Sequence, residues 1–204
     1  MTGKGQQAQS AISGLMLSNV ACVRGGRMLF TGVSFTLGAG DALVLAGPNG
    51  VGKSSLLRLI AGLLPAYAGQ ISRTGKLALA DEHMALDARL PLTKALHYWA
   101  TLDGSDAEGV RAALANFGLS HLADVPVRML STGQRRRATL ARIALSKADI
   151  WLLDEPGNGL DTASLAQLNH AMAQHRAAGG IVIAASHQTL DLPGAAALTL
   201  EAAE

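Results

Sequence analysis

The chain has 204 residues, a formal net charge of +2, and 49% hydrophobic against 16% charged residues. That length can bury a real core in one domain, and the near-neutral charge gives no basic field demanding nucleic acid. One cysteine, Cys22, excludes an intramolecular disulfide and a cysteine-based zinc site, and it suits a reducing compartment.

Residues 1–13 are polar, rich in Gly and Gln, and lack the apolar stretch of a signal peptide, so a flexible leader is expected there. No segment reaches the ~18 apolar residues of a membrane span. The expected location is therefore cytoplasmic, with membrane association only through a partner. From Leu15 to Phe35 the apolar residues come in short runs broken by Arg24-Gly25-Gly26-Arg27 and Thr31-Gly32, the pattern of antiparallel strands and a hairpin. A turn at Gly38–Asp41 then leads into an apolar strand, 42–46.

That strand runs straight into Gly47-Pro48-Asn49-Gly50-Val51-Gly52-Lys53-Ser54, which fits G-x-x-x-x-G-K-[ST], followed by Ser55 and a leucine-spaced helix expected to reach Leu64 before Pro65. Glycines at 47, 50 and 52 let the backbone curl so that successive N–H groups face a phosphate. The helix beginning at Lys53 adds its unpaired amides and positive dipole end. Lys53 supplies a mobile charge for the outer phosphates, and the Ser54 hydroxyl suits Mg²⁺, which wants oxygen ligands. A nucleoside triphosphate is the expected ligand.

Two short strands are expected between Gly69 and Ala80. From 83 to 130 Ala, Leu and charged residues recur at helical spacing, with breaks at Pro91, Gly104 and Gly118. Leu130-Ser131-Thr132-Gly133-Gln134 then opens a further helix ending near Ser146. Residues 83–146 together are expected to form a helical subdomain inserted in an α/β core. A Ser-x-Gly turn is by itself an ordinary helix cap; one helix upstream of a buried strand with acidic ends, it gains a second meaning.

That strand, Ile150-Trp151-Leu152-Leu153-Asp154-Glu155, ends in adjacent carboxylates. Beside a phosphate loop, Asp154 is expected to anchor Mg²⁺ through water. Glu155, pointing the other way by strand alternation, is left to polarise an attacking water. An amphipathic helix over 162–178, a second buried strand over 181–185, Ser186-His187 and a last short strand within 195–200 complete the chain.

The phosphate loop, LSTGQ, WLLDEP, Gly157-Asn158-Gly159-Leu160-Asp161 and Ser186-His187 stand in an order that resembles the ATP-binding cassette (ABC) ATPases, over nearly the whole chain. The resemblance implies an α/β P-loop NTPase core with an antiparallel β subdomain, spanning 14–204, and an inserted helical subdomain carrying the signature. It implies ATP and Mg²⁺ as cofactors and a head-to-tail homodimer in which Leu130, Ser131, Thr132, Gly133 and Gln134 of one subunit close on ATP held by the other. Asp161 matches the aspartate that links the two sites. His187 matches the histidine that contacts the γ-phosphate and positions Glu155. The glutamine that usually touches Mg²⁺ and signals to the membrane partner falls on Glu82, still an oxygen ligand. The aromatic that usually stacks on adenine is missing, and Arg24 lies near its place.

Within the family, the blocks LSTGQRRRATLARIAL and WLLDEPGNGLD and the early Cys22–Phe30 segment are similar to the cytochrome c biogenesis ATPases, the ATP-binding subunits of haem exporters. The similarity implies an integral-membrane partner and haem delivery for c-type cytochromes. Other ABC importers or exporters are the nearest alternative. Among soluble ABC ATPases, the chromosome type needs a long coiled coil between its halves, and the translation type needs two cassettes. Arg135-Arg136-Arg137 is expected to be a solvated or subunit-facing surface, with no nucleic acid bound. His83, His97, His121, His170 and His175 lack ligand spacing and are expected at the surface.

Overall fold

The computed structural model describes residues 14–202, so the expected leader at 1–13 lies outside the described part. β1 (Gly14–Arg24) and β2 (Arg27–Leu37) form the expected hairpin, and β3 (Ala42–Ala46) feeds the phosphate loop and α1 (Lys53–Ala61). β4 (Ala68–Thr74) returns to pair antiparallel with β1, giving a three-stranded sheet in the order β2-β1-β4. β5 (Leu77–Ala80) follows, then α2 (Leu92–Asp103), α3 (Ala107–Asn116) and α4 (Thr132–Leu145). β6 (Ile150–Asp154), α5 (Thr162–Ala177), β7 (Ile181–Ala185) and β8 (Ala196–Thr199) close the chain.

The short apolar runs pair as one parallel sheet in the order β5-β6-β7-β3-β8. A parallel strand covered on both faces has no polar side, which is why these runs read as continuous apolar stretches. Their alternation still sorts the two faces. Leu43, Leu45, Ile150, Leu152, Ile181 and Ile183 pack with α1 and the antiparallel sheet, whereas Ala42, Trp151, Leu153, Val182 and Ala184 pack with the helical half. Each fully buried Leu or Ile contributes roughly 1.5–3 kcal/mol, so the Leu- and Ile-rich face is the main adhesive of the core.

α1 stops earlier than the expected Leu64. Gly62 takes a left-handed conformation (φ 75°), and the N–H groups of Gly62 and Leu63 close back on Leu59 and Arg58. A left-handed glycine with this pair of closing bonds ends a helix whatever the leucine spacing beyond it.

Candidate functional site

The loops after β3, β5, β6 and β7 all leave from the carboxyl ends of parallel strands, the end at which such sheets bind ligands. The phosphate loop is shaped by two crowded glycines. A Cβ on Gly47 (φ 132°) would come within 2.5 Å of the Leu200 carbonyl, and one on Gly52 (φ 114°) within 2.9 Å of the Phe30 ring. Val51 is buried in the core between them, while Pro48, Asn49 and Gly50 arch over the outside. α1 begins at Gly52 without a side-chain cap and with no acidic residue in its first turn, which leaves its amides and dipole end open to an anion.

Lys53 is only 7% exposed, an unusual place for an ammonium unless its donors are used. Its Nζ donates to the carbonyls of Gly47 (2.7 Å) and Pro48 (3.2 Å) and lies 3.0 Å from His187 Nε2. An ammonium has only donors, so His187 Nε2 accepts from it. The Ser186 hydroxyl accepts from Gln188 N–H and donates to its carbonyl, a tight turn that sets the direction of His187.

β6 ends at Asp154, and Glu155 lies beyond it with φ 47°, a left-handed conformation rare for a residue with a side chain. This twist, not strand alternation, turns Glu155 toward His187. The His187 N–H donates to Glu155 Oε2 at 3.3 Å, and Glu155 Oε1 stands 3.4 Å from His187 Nε2. Glu155, His187 and Lys53 thus converge, with Ser54, Ser55 and Asp154, on the pocket at the head of α1. Ser54, Asp154 and Glu155 also line an adjoining pocket with Asp81, Glu82 and Thr132. A hydroxyl, a carboxylate and room for phosphate oxygens is a donor set that fits Mg²⁺, which usually takes few protein ligands.

On the loop after β5, Asp81 is the inner carboxylate and Glu82 the outer one, with side chains 14% and 76% exposed. Arg58 of α1 pairs with both, at 3.1 Å and 3.4 Å. Burial works to raise the Asp81 pKa, but the His83 N–H and the Arg58 guanidinium outweigh it and hold that carboxyl below its ordinary value. Sequence reasoning passes over Asp81 and Arg58; a lone arginine inside a leucine-rich helix is the available signal.

The signature residues open α4. The Ser131 hydroxyl accepts from Gln134 N–H (3.3 Å) and Gln134 Oε1 accepts from Ser131 N–H (2.8 Å), a reciprocal cap. Leu130 is buried beneath it, Thr132 faces the pocket beside Ser54, and a Cβ on Gly133 would lie 3.2 Å from the Gly159 carbonyl. Asp161 caps α5 by accepting from Ser164 N–H at 2.8 Å, a bond that holds its carboxyl below the usual range. Arg24 closes the β1–β2 hairpin opposite Arg27 and is exposed.

Two expectations need correction. Of the three arginines after LSTGQ, only Arg135 is exposed. Arg136 is largely buried and donates to the carbonyls of Asp154 and Glu155, and Arg137 donates to Phe117 O at 3.1 Å. Burial lowers the Arg136 pKa, opposed by the Asp154, Glu155 and Asp81 carboxylates. Helix phase turns these two side chains inward, and a run of like charges conceals phase. His175 is likewise not a surface residue, since its ring stacks on Trp151 at 4.1 Å and is half-buried.

The ABC transporter family model matches residues 30–158. The cytochrome c biogenesis ATP-binding export protein CcmA of Zymomonas mobilis is 54% identical over 92% of this chain and 84% of its own length. Its counterpart from Sphingopyxis alaskensis is 55% identical over 88% of this chain and 92% of its own. Among solved structures, an ATP-binding subunit of an ABC transporter superposes with TM-score 0.77 at 25% identity, over 85% of this chain and 79% of that one. An ABC transporter ATP-binding protein from Pyrococcus furiosus superposes with TM-score 0.80 at 22% identity, over 92% and 98%, and speaks for the fold alone. With the phosphate loop, the capped signature helix and the Glu155–His187 pair in one fold, the chain belongs to the ABC transporter ATPases, in the branch of the cytochrome c biogenesis ATP-binding export proteins.

Proposed function

We propose that the chain hydrolyses ATP as a head-to-tail homodimer on the cytoplasmic face of the inner membrane, driving an integral-membrane partner that delivers haem for c-type cytochrome assembly. The observation that carries the chemical part is the convergence of Glu155, His187 and Lys53 at the head of α1. The names of the relatives support the biological part. Among the described residues no helix is long and apolar enough to cross a membrane, and this reading assigns the membrane-spanning part to the partner.

In this reading Gly47–Ser55 wrap the phosphates, with Lys53 and the α1 amides neutralising the outer ones. Lys53 must then trade the Gly47 and Pro48 carbonyls for phosphate oxygens. Ser54 and Asp154, with Glu82 as a further oxygen, would hold Mg²⁺, which when bound offsets charge on the β- and γ-phosphates. Glu155 takes a proton from water as the water oxygen bonds to the γ-phosphorus. The bond to the β–γ bridging oxygen breaks, and ADP leaves. His187 keeps Glu155 and the water in line, and Leu130–Gln134 of the second subunit cover the γ-phosphate from the other side. Asp161 ties the two sites together, and Arg24 lies on the adenine side. Most of the rate comes from positioning and charge neutralisation.

Glu155→Gln is expected to bind ATP, hold a closed dimer and lose turnover by about 10²–10⁴-fold, the range of a lost general base. Phosphate release and light scattering read the two effects, and full turnover refutes the assigned base. Glu82→Ala should raise the Mg²⁺ concentration needed for half-maximal hydrolysis, and an unchanged Mg²⁺ titration removes Glu82 from the metal site. Specific activity that does not fall on dilution below the point of dimer dissociation would overturn the shared-site reading.

A further inference from the structure

Arg136 sits one turn into α4, immediately after the signature, yet its guanidinium leaves that helix and reaches the end of β6. Its Nη2 donates to the carbonyls of both Asp154 and Glu155, and its Nη1 makes a longer contact, 3.4 Å, to the Asp81 carbonyl. Those first two carbonyls flank residue 155 on either side, so holding both fixes φ and ψ of Glu155 together. That residue needs holding: a left-handed conformation at a non-glycine residue costs on the order of 1–3 kcal/mol and persists only where the surroundings over-determine it. The Glu155 N–H to Ala185 O bond (2.8 Å) secures one edge of this peptide, and Arg136 secures the other.

We infer that Arg136 is a positioning residue for hydrolysis, gripping the peptide groups around Glu155 so that its carboxylate stays aimed at His187 and the attacking water. The grip also makes the base and the signature helix of the same subunit one mechanical unit, with the Asp81 loop attached. This rests on Glu155 being the general base. Arginine suits the task because its rigid planar fork spreads donors over separate nitrogens, Nη2 on the Asp154 and Glu155 carbonyls and Nη1 toward Asp81, whereas a lysine concentrates its donors on one freely rotating nitrogen.

The test compares Arg136→Met and Arg136→Lys, each alone and combined with Glu155→Gln, in steady-state ATP hydrolysis with Mg²⁺. Arg136→Met should lower kcat on the order of 10- to 100-fold, the scale of a misaimed catalytic group, with KM for ATP changed by less than about twofold. Arg136→Lys should recover part of the loss, ending roughly three- to tenfold below the parent, as expected for the net loss of one hydrogen bond of ordinary strength. In the Glu155→Gln background neither change should lower the residual rate further, because there is no base left to aim. A parental kcat in a folded Arg136→Met overturns the inference, and so does a loss that multiplies with Glu155→Gln. If the Met variant does not fold, the Lys variant decides, a parental kcat overturning it. Glu155→Gln alone with full turnover removes the base itself and this inference with it; a crippled Glu155→Gln beside an unaffected Arg136 variant removes this inference only.

Discussion

The two faces of the parallel sheet are built to different rules. One face presents Leu43, Leu45, Ile150, Leu152, Ile181 and Ile183 to α1 and the antiparallel sheet, an apolar contact throughout. The other meets α4 and α5, and all five buried side-chain polar atoms without a partner among the described residues lie on that side, in Arg136, Arg142, Trp151, Gln167 and His175. The phosphate loop rides on the apolar face and needs a rigid seat. The signature helix rides on the polar face, where long side chains reach across to strand ends. Arg142 makes such a reach: it lies over the Trp99 ring (4.9 Å) and donates to Leu79 O (2.6 Å), a carbonyl on the edge strand β5. Rigidity for the nucleotide seat and polar linkage for the signature are thus divided between two sides of one sheet.

Breaking the apolar face should cost most. Leu152 is fully buried, and Leu152→Ala is expected to lose about 2–5 kcal/mol of unfolding free energy, read by denaturant titration. A loss below ~1 kcal/mol would mean that this face can collapse around a cavity and is not the rigid one. On the polar side Arg142→Met should lose less, about 1–2 kcal/mol, because a buried chain of similar length replaces the stem while the Leu79 carbonyl loses its charged donor. A loss equal to that of Leu152→Ala would erase the distinction.

The smallest effect concerns pH. Burial lowers the His175 pKa below its ordinary 6.5, the nearby backbone groups and Asp149 opposing this only in part. The unfolded chain therefore takes up a proton that the folded ring resists. The stability attached to His175 is fully present above about pH 6.5 and is lost as pH falls through the unfolded value toward the folded one. Comparing thermal unfolding of the parent and His175→Phe, the parent should lose more Tm between about pH 7 and pH 5. Parallel pH profiles would leave the polar side as insensitive to acid as the apolar one.

Motifs whose chemistry depends on contiguous residues are legible before folding. Gly47–Ser54, Leu130–Gln134 and the Asp154-Glu155 pair each carry their own turn, cap or strand end, so the order of elements and the α/β core can be read from them. What is hidden depends on which way a helix faces once packed. Arg136 and Arg135 are chemically identical neighbours, and only the rotation of α4 against β6 sends one inward. Asp81 and Glu82 are likewise adjacent acids, both paired with Arg58, and only the packing of their loop turns Asp81 inward and leaves Glu82 exposed. Glu155 stands out in the sequence for a reason that holds only inside the strand; its direction comes from a left-handed turn one residue beyond it.

Three helices begin close to the site, and only α1 starts without a side chain across its first amides. At α4 the Ser131 oxygen receives the Gln134 N–H on one lone pair, which leaves the hydroxyl hydrogen and a second lone pair to face outward. The positive end of the α4 dipole, with no acidic residue in its first turn, decides which of these is used: the hydrogen can be offered to an electron-rich visitor, while a cation is repelled. The start of α4 is thereby biased toward anions approaching from outside the subunit, before any second chain arrives.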